Sequence, residues 1–132
     1  STRALSSAAS DVYKRQNIAS TDGMMGAFDG ISYSVSKAGL INLTKSLANH
    51  LGPRGIRVNA IAPGWIDTEM VTDAPIGMSA EMTPLGRNGT PEEVSDLVEF
   101  LLSEKSRFIH GETIVIDGGL INVDYILKKE AE

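Results

Sequence analysis

The chain has 132 residues, 42% hydrophobic and 22% charged, with a net charge of −5, the composition of a globular protein with one modest core. It carries no basic run or aromatic-rich basic stripe, which argues against a nucleic-acid partner, and no apolar run near the roughly 20 residues of a membrane span. The absence of cysteine excludes a disulfide framework or thiolate metal site and fits a cytoplasmic protein. The two histidines, His50 and His110, are far apart with no carboxylate at ligand spacing, so both are expected to face solvent and no metal site is expected.

Residues 1–16 differ in character from the rest of the chain. Residues 1–10 show no periodicity, and DVYKRQ can be encoded by the end of a transposon used in preparing sequencing libraries. The segment reads as a sequencing-adaptor arm to be set aside from the fold, or else as a disordered native arm. Asn17-Ile18-Ala19-Ser20 then reads as the end of a parallel strand, with Ser20 at the carboxyl end, where open α/β sheets bind ligands. The loop of residues 21–30 is rich in Gly, Asp and Met. It is a weak candidate for a phosphate loop and a better one for an active-site wall. Met24, Met25 and Phe28 read either as the wall of an apolar substrate pocket or as ordinary packing.

A helical pattern runs from Ile31 to Leu51, with an expected apolar stripe of Val35, Ala38, Leu40 or Ile41, Leu47 and Leu51. Gly52-Pro53 ends it. Within it Tyr33 and Lys37 stand at i and i+4, one turn apart on one face. An ammonium beside a phenol favours the phenolate and so lowers its pKa. Ser20 lies thirteen residues upstream of Tyr33, close enough for its hydroxyl to reach the same point. The three together read as a proton-transfer site.

Residues 55–62 form a short strand suited to burial on both faces, and Pro63-Gly64 turns the chain after it. Residues 69–86 have no clear period. Thr90-Pro91-Glu92-Glu93 is a capping box with proline at the first helical position. The helix after it places Val94, Leu97, Val98, Leu101 and Leu102 at intervals of three and four. Residues 111–116 alternate as a last strand, closed by Asp117-Gly118-Gly119. Residues 123–132 form a tail, with its LKKEAE end expected to be mobile.

YSVSKAGL, VNAIAPGWIDTEM and FIHGETIVIDGG, in that order behind Ser20, resemble the short-chain dehydrogenase/reductase family over Asn17 to about Asn122. The resemblance implies an α/β fold, the carboxyl-terminal half of a truncated Rossmann-like, doubly wound parallel sheet (residues 17–122). It implies Tyr33 as general acid/base, Lys37 as the group that lowers the phenol's pKa and bonds the nicotinamide ribose, and Ser20 as the donor that orients a substrate carbonyl. Pro63, Gly64, Ile66 and Thr68 would lie against the nicotinamide end of NAD or NADP, beside Tyr33 and Lys37. Residues 69–86 would form a lid, whose Met70, with Val71, Met78 and Met82, leans towards an acyl substrate. The family's Gly-rich phosphate turn and its catalytic Asn have no counterpart here, so the choice between NAD and NADP is not written in this chain.

The expected activity is reduction of a carbonyl, foremost a 3-oxoacyl thioester as in fatty acid biosynthesis, with a small-molecule or acyl-thioester substrate and a dimer or tetramer when intact. The alternatives are a sugar-alcohol, short-chain alcohol or hydroxysteroid dehydrogenase of the same family, or a non-catalytic fragment. In isolation the 132-residue chain is expected to be inactive and poorly stable, since a sheet edge would be exposed.

Overall fold

The computed structural model describes residues 14–68 and 76–132. The first strand, β1 (Lys14–Ile18), leads through a single 3-10 turn at Thr21–Gly23 into α1 (Ile31–Leu51), and Gly52–Arg54 makes another such turn before β2 (Arg57–Pro63). Then come α2 (Ile76–Met82), α3 (Pro91–Leu102), β3 (Thr113–Ile116) and α4 (Tyr125–Ala131).

All strand pairing is parallel, in the order β1-β2-β3. Lys14 to Ile18 run beside Arg57 to Ile61, and Ala60 to Pro63 beside Thr113 to Ile116. Parallel neighbours need long crossovers, and helices supply both. The central strand is the core: every residue from Arg57 to Ala62 is buried, as expected where helices cover both faces of a strand.

The helix α1 has the bounds its periodicity predicts, but a different face is buried. Its buried residues are Ser34, Thr44 and Ala48, at spacings of ten and four that return to the same side. Val35 is 64% exposed and Ala38 is exposed too, so the expected apolar stripe is corrected at these two positions, while Leu40, Ile41, Leu47 and Leu51 are half-buried. Small side chains win the inner face because the helix lies close to the strand layer: a Cβ on Gly111 would come within 3.2 Å of Ala48 Cβ. Thr44 is fully buried and satisfied, accepting from Asn17 Nδ2 at 3.0 Å and donating to the Leu40 carbonyl at 2.8 Å.

Three further expectations change. Lys14, Arg15 and Gln16 belong to β1, so the segment set aside from the fold is too long by these three residues. Parallel pairing is made by the backbone and accepts them, although the Gln16 Oε1 is buried without a hydrogen-bond partner. His110 does not face solvent: its Nδ1 accepts from the Val58 N–H at 3.2 Å and its Nε2 lies 2.8 Å from the Ala48 carbonyl. Those partners together select the neutral tautomer with the proton on Nε2. Finally, part of the aperiodic stretch is helical, since Ile76–Met82 forms α2.

The tail is also ordered into a helix. Asp124 caps α4 by accepting from the Ile126 and Leu127 N–H groups, and Lys128 Nζ donates to the Glu81 carbonyl at the end of α2 at 3.1 Å. The capping box at the start of α3 is present as predicted. Of the apolar residues expected under α3, Leu101 is fully buried but Leu102 is 40% exposed.

Candidate active site

Ser20 follows the carboxyl end of β1 and residues 64–68 follow that of β2, while Tyr33 and Lys37 stand on α1. At the end of β1, Ser20 is 9% exposed. Its Oγ caps the Thr21–Gly23 turn by accepting the Asp22 N–H at 3.1 Å. One lone pair is thereby used, and the hydroxyl proton remains to be donated.

On α1, Lys37 Nζ stands 5.4 Å from the centre of the Tyr33 ring, within the range of a cation–π contact. The i, i+4 spacing on a regular helix produces this without help from the rest of the fold. Lys37 Nζ also donates to the Ile18 carbonyl at 3.2 Å, which ties the ammonium to the strand end two residues before Ser20. An ammonium has three donors, so this bond leaves others for a ligand. Tyr33 is 51% exposed and open to an incoming molecule.

The turn carrying Ser20 is held against α1 by direct backbone contact. A Cβ on Gly23 would come within 2.7 Å of the Lys37 carbonyl carbon and 2.8 Å of the Ala38 nitrogen. Only glycine allows that approach. Ser34 adds a second attachment, donating to the Asp22 carbonyl and lying 3.3 Å from the Met25 carbonyl. The structure thus turns Ser34 onto its own loop.

After β2, the chain turns at Pro63-Gly64. The Gly64 N–H bonds the Ile116 carbonyl at 3.0 Å, and a Cβ there would meet Asp117 Cβ at 2.7 Å. Ile66 then bridges Gly89 in parallel. The bridge uses the Asp67 N–H and the Trp65 carbonyl, each at 2.9 Å, so the alternation of extended backbone turns the Ile66 peptide groups to the other side. Asn88 Nδ2 adds a bond to Asp67 Oδ1 at 2.8 Å. This support from residues 87–90 has no signal in the sequence, because it depends on segments about twenty residues apart meeting. Thr68 is exposed.

The expected substrate wall is not enclosed by this chain: Met24 is 46% exposed, Met25 43% and Phe28 104%. Phe28 is left fully open by the described residues, and Met24 and Met25 are only partly covered. Met70 and Val71 lie outside the described residues, and Met78 is 71% exposed.

Arg87 bonds Glu93 through two nitrogens, at 2.6 and 3.1 Å. Glu93 is held below the usual carboxylate range by that hydrogen bond first and by the Thr90 N–H second. Among the described residues no group of three or more His, Cys, Asp or Glu is placed to hold a metal ion, and no helix is long and apolar enough to cross a membrane.

Comparison with known proteins supplies the context for this geometry. The family described as Enoyl-(Acyl carrier protein) reductase, a short-chain dehydrogenase/reductase group, matches residues 3–121. The 3-oxoacyl-[acyl-carrier-protein] reductase FabG of Aquifex aeolicus is 49% identical over 107 residues, covering 79% of this chain and 43% of that protein. Cis-4-hydroxycyclohexanecarboxylate dehydrogenase of Sinomonas cyclohexanicum is 42% identical over 106 residues, covering 78% of this chain and 43% of its own length. Among solved structures, ElxO with NADP bound superposes with a TM-score of 0.79 at 32% identity, covering 83% of this chain and 47% of that one. The chain therefore spans under half the length of these relatives. With the parallel sheet, the Tyr33–Lys37 helix and a family match over most of its residues, the chain belongs to the short-chain dehydrogenase/reductase family.

Proposed function

We propose that this chain is the catalytic half of an NAD(P)-dependent oxidoreductase that reduces a carbonyl, foremost that of a 3-oxoacyl thioester. The observation that carries the reading is the placing of Lys37 between the Tyr33 ring and the end of β1, with the Ser20 hydroxyl two residues beyond that end.

Tyr33 acts as the acid. Its phenol donates a proton to the substrate oxygen as that oxygen gains negative charge, and the neighbouring ammonium stabilises the phenolate left behind. Ser20, with a lone pair already taken by the Asp22 N–H, donates its proton to the same oxygen and holds it in place. A nicotinamide, when bound, supplies the hydride.

The residues present suit the nicotinamide end of such a cofactor. Lys37 has N–H donors beyond the one given to Ile18, which can meet ribose hydroxyls. The Ile66 peptide groups face away from the Gly89 bridge and would be available to hydrogen-bond a carboxamide. Residues for the diphosphate and adenosine lie in the half that the relatives have and this chain does not. The 132-residue chain alone is accordingly a weak binder without turnover, and the complete enzyme is a homo-oligomer.

The acyl substrate is favoured by the FabG likeness. A second reading, oxidation of a cyclic or short-chain alcohol, is favoured by the likeness to the hydroxycyclohexanecarboxylate dehydrogenase. The complete product of the source gene should reduce an acetoacetyl thioester with NADPH or NADH. Turnover of alcohols with none of the thioester would replace the first reading with the second. Trp65, the single tryptophan, is 61% exposed beside Ile66, so quenching of its emission by the dinucleotide reads binding separately from activity.

A further inference from the structure

Ser34 comes directly after the proposed acid Tyr33 in sequence and points the opposite way. Its neighbour is 51% exposed, whereas Ser34 is 8% exposed. Its hydroxyl has one proton and two carbonyls within reach, those of Asp22 and Met25, so the bond to Asp22 is supplemented by a longer contact. Both carbonyls belong to the segment that begins at Ser20.

That segment is tied together by its own hydrogen bonds. The Asp22 N–H is bonded to Ser20 Oγ at 3.1 Å, the Gly23 N–H to the Ser20 carbonyl at 3.0 Å and the Met24 N–H to the Thr21 carbonyl at 2.9 Å. Any shift of the Asp22 peptide is therefore passed to the Ser20 hydroxyl. The Gly23 contact fixes how closely the turn approaches the helix at Lys37. The Ser34 hydroxyl adds the polar tie between this turn and α1, beside the Asn17–Thr44 and Lys37–Ile18 bonds that hold the end of β1 to the same helix.

We propose that Ser34 is a positioning residue: its hydroxyl sets the Ser20 side chain at the height along α1 where Ser20 and Tyr33 meet one carbonyl oxygen. The inference rests on the reading of Tyr33 as acid and Ser20 as donor. Without this bond the Ser20 turn loses register with the helix, and a displacement of about 1 Å between reacting groups can cost up to about a hundredfold in rate.

Ser34→Ala in the complete gene product tests this by two measurements. The Asp22, Gly23 and Met24 amides should exchange with solvent faster, while amides in the second half of α1 keep their rates. The kcat should fall about tenfold with the dinucleotide KM changed less than about twofold, the split expected of a lost transition-state contact. Ser34→Thr keeps the hydroxyl and should restore both the protection of Asp22 and kcat.

An active wild type whose Ser34→Ala variant keeps its kcat overturns the inference. So does a variant in which KM, kcat and protection along all of α1 fall together, which describes a general loosening. Restored protection without restored kcat in Ser34→Thr overturns it as well. A wild type that reduces no carbonyl with either dinucleotide defeats the functional reading itself, and this inference with it.

Discussion

The two ends of the parallel sheet use polar side chains in opposite ways. At the amino end of β2, Arg57 is 7% exposed and Asn59 1%, and their bonds are made within the chain. Arg57 donates to the carbonyls of Ile109, Leu101 and Ser103 at 3.2, 2.9 and 3.2 Å. Asn59 donates to the Ile109 carbonyl at 3.0 Å and accepts the Glu112 N–H at 3.1 Å. At the carboxyl end, Tyr33 is open to solvent, and Lys37 and Ser20 keep donors to spare. The contrast separates two jobs: buried polar groups with matched partners hold the end of α3 and the segment before β3 against β2, whereas groups with donors left over are available to a ligand.

Substitutions at the two ends should therefore fail differently. Tyr33→Phe in the complete gene product removes the proton donor, and turnover should drop by about 10²–10⁴-fold. Its urea midpoint and its dinucleotide affinity should stay close to wild type. Retained turnover would mean that another group is the acid, and the contrast between the ends would lose its functional half.

Arg57→Met acts at the other end. It takes the charged donor from the buried Leu101 carbonyl and the half-buried carbonyls of Ser103 and Ile109, and urea unfolding should show a loss of about 1–3 kcal/mol. Turnover per folded molecule should be little changed. A specific loss of kcat at unaltered stability would contradict the division.

Smaller effects sharpen it. Thr90→Ala removes the cap of α3, whose hydroxyl accepts the Glu93 N–H at 3.2 Å, and should cost about 1 kcal/mol by the same measurement. The smallest effect concerns acid. Because the Arg87 and Thr90 bonds lower the Glu93 pKa, the carboxylate's contribution is complete above the ordinary pKa of the unfolded chain. It is lost as pH falls through the lower folded value. Arg87→Gln should thus narrow the stability gap between neutral and acidic pH, with little change left once Glu93 is protonated. Glu93 and Arg87 are surface groups, and the difference should be small and reduced by salt.

Much of this molecule is legible in local pattern. The bounds of α1, the turn at Pro63-Gly64, the α3 capping box and the Tyr33–Lys37 pairing all follow from spacings of a few residues, over which backbone geometry alone decides the outcome. The face that α1 buries cannot be read in that way. A stripe of Val35 and Ala38 satisfies helical periodicity as well as the inner line of Ser34, Thr44 and Ala48 does, and polarity favours the wrong choice. Close approach to the strands, where small side chains with local hydrogen bonds fit, overrules it. The hydrogen bonding of the half-buried His110 escapes local pattern for a related reason: its partners, Val58 and Ala48, are distant in the chain.

The order of residues thus settles which chemical groups are present and the short-range geometry joining two of them, because an i, i+4 pair needs only a helix. Packing in three dimensions settles where Ser20 stands relative to that pair, and which turn supports the Ile66 loop. Those relations depend on backbone segments meeting across the sheet, through Gly23 on Lys37, Ser34 on Asp22 and Gly89 on Ile66, and contact between distant segments leaves no periodic trace along the chain.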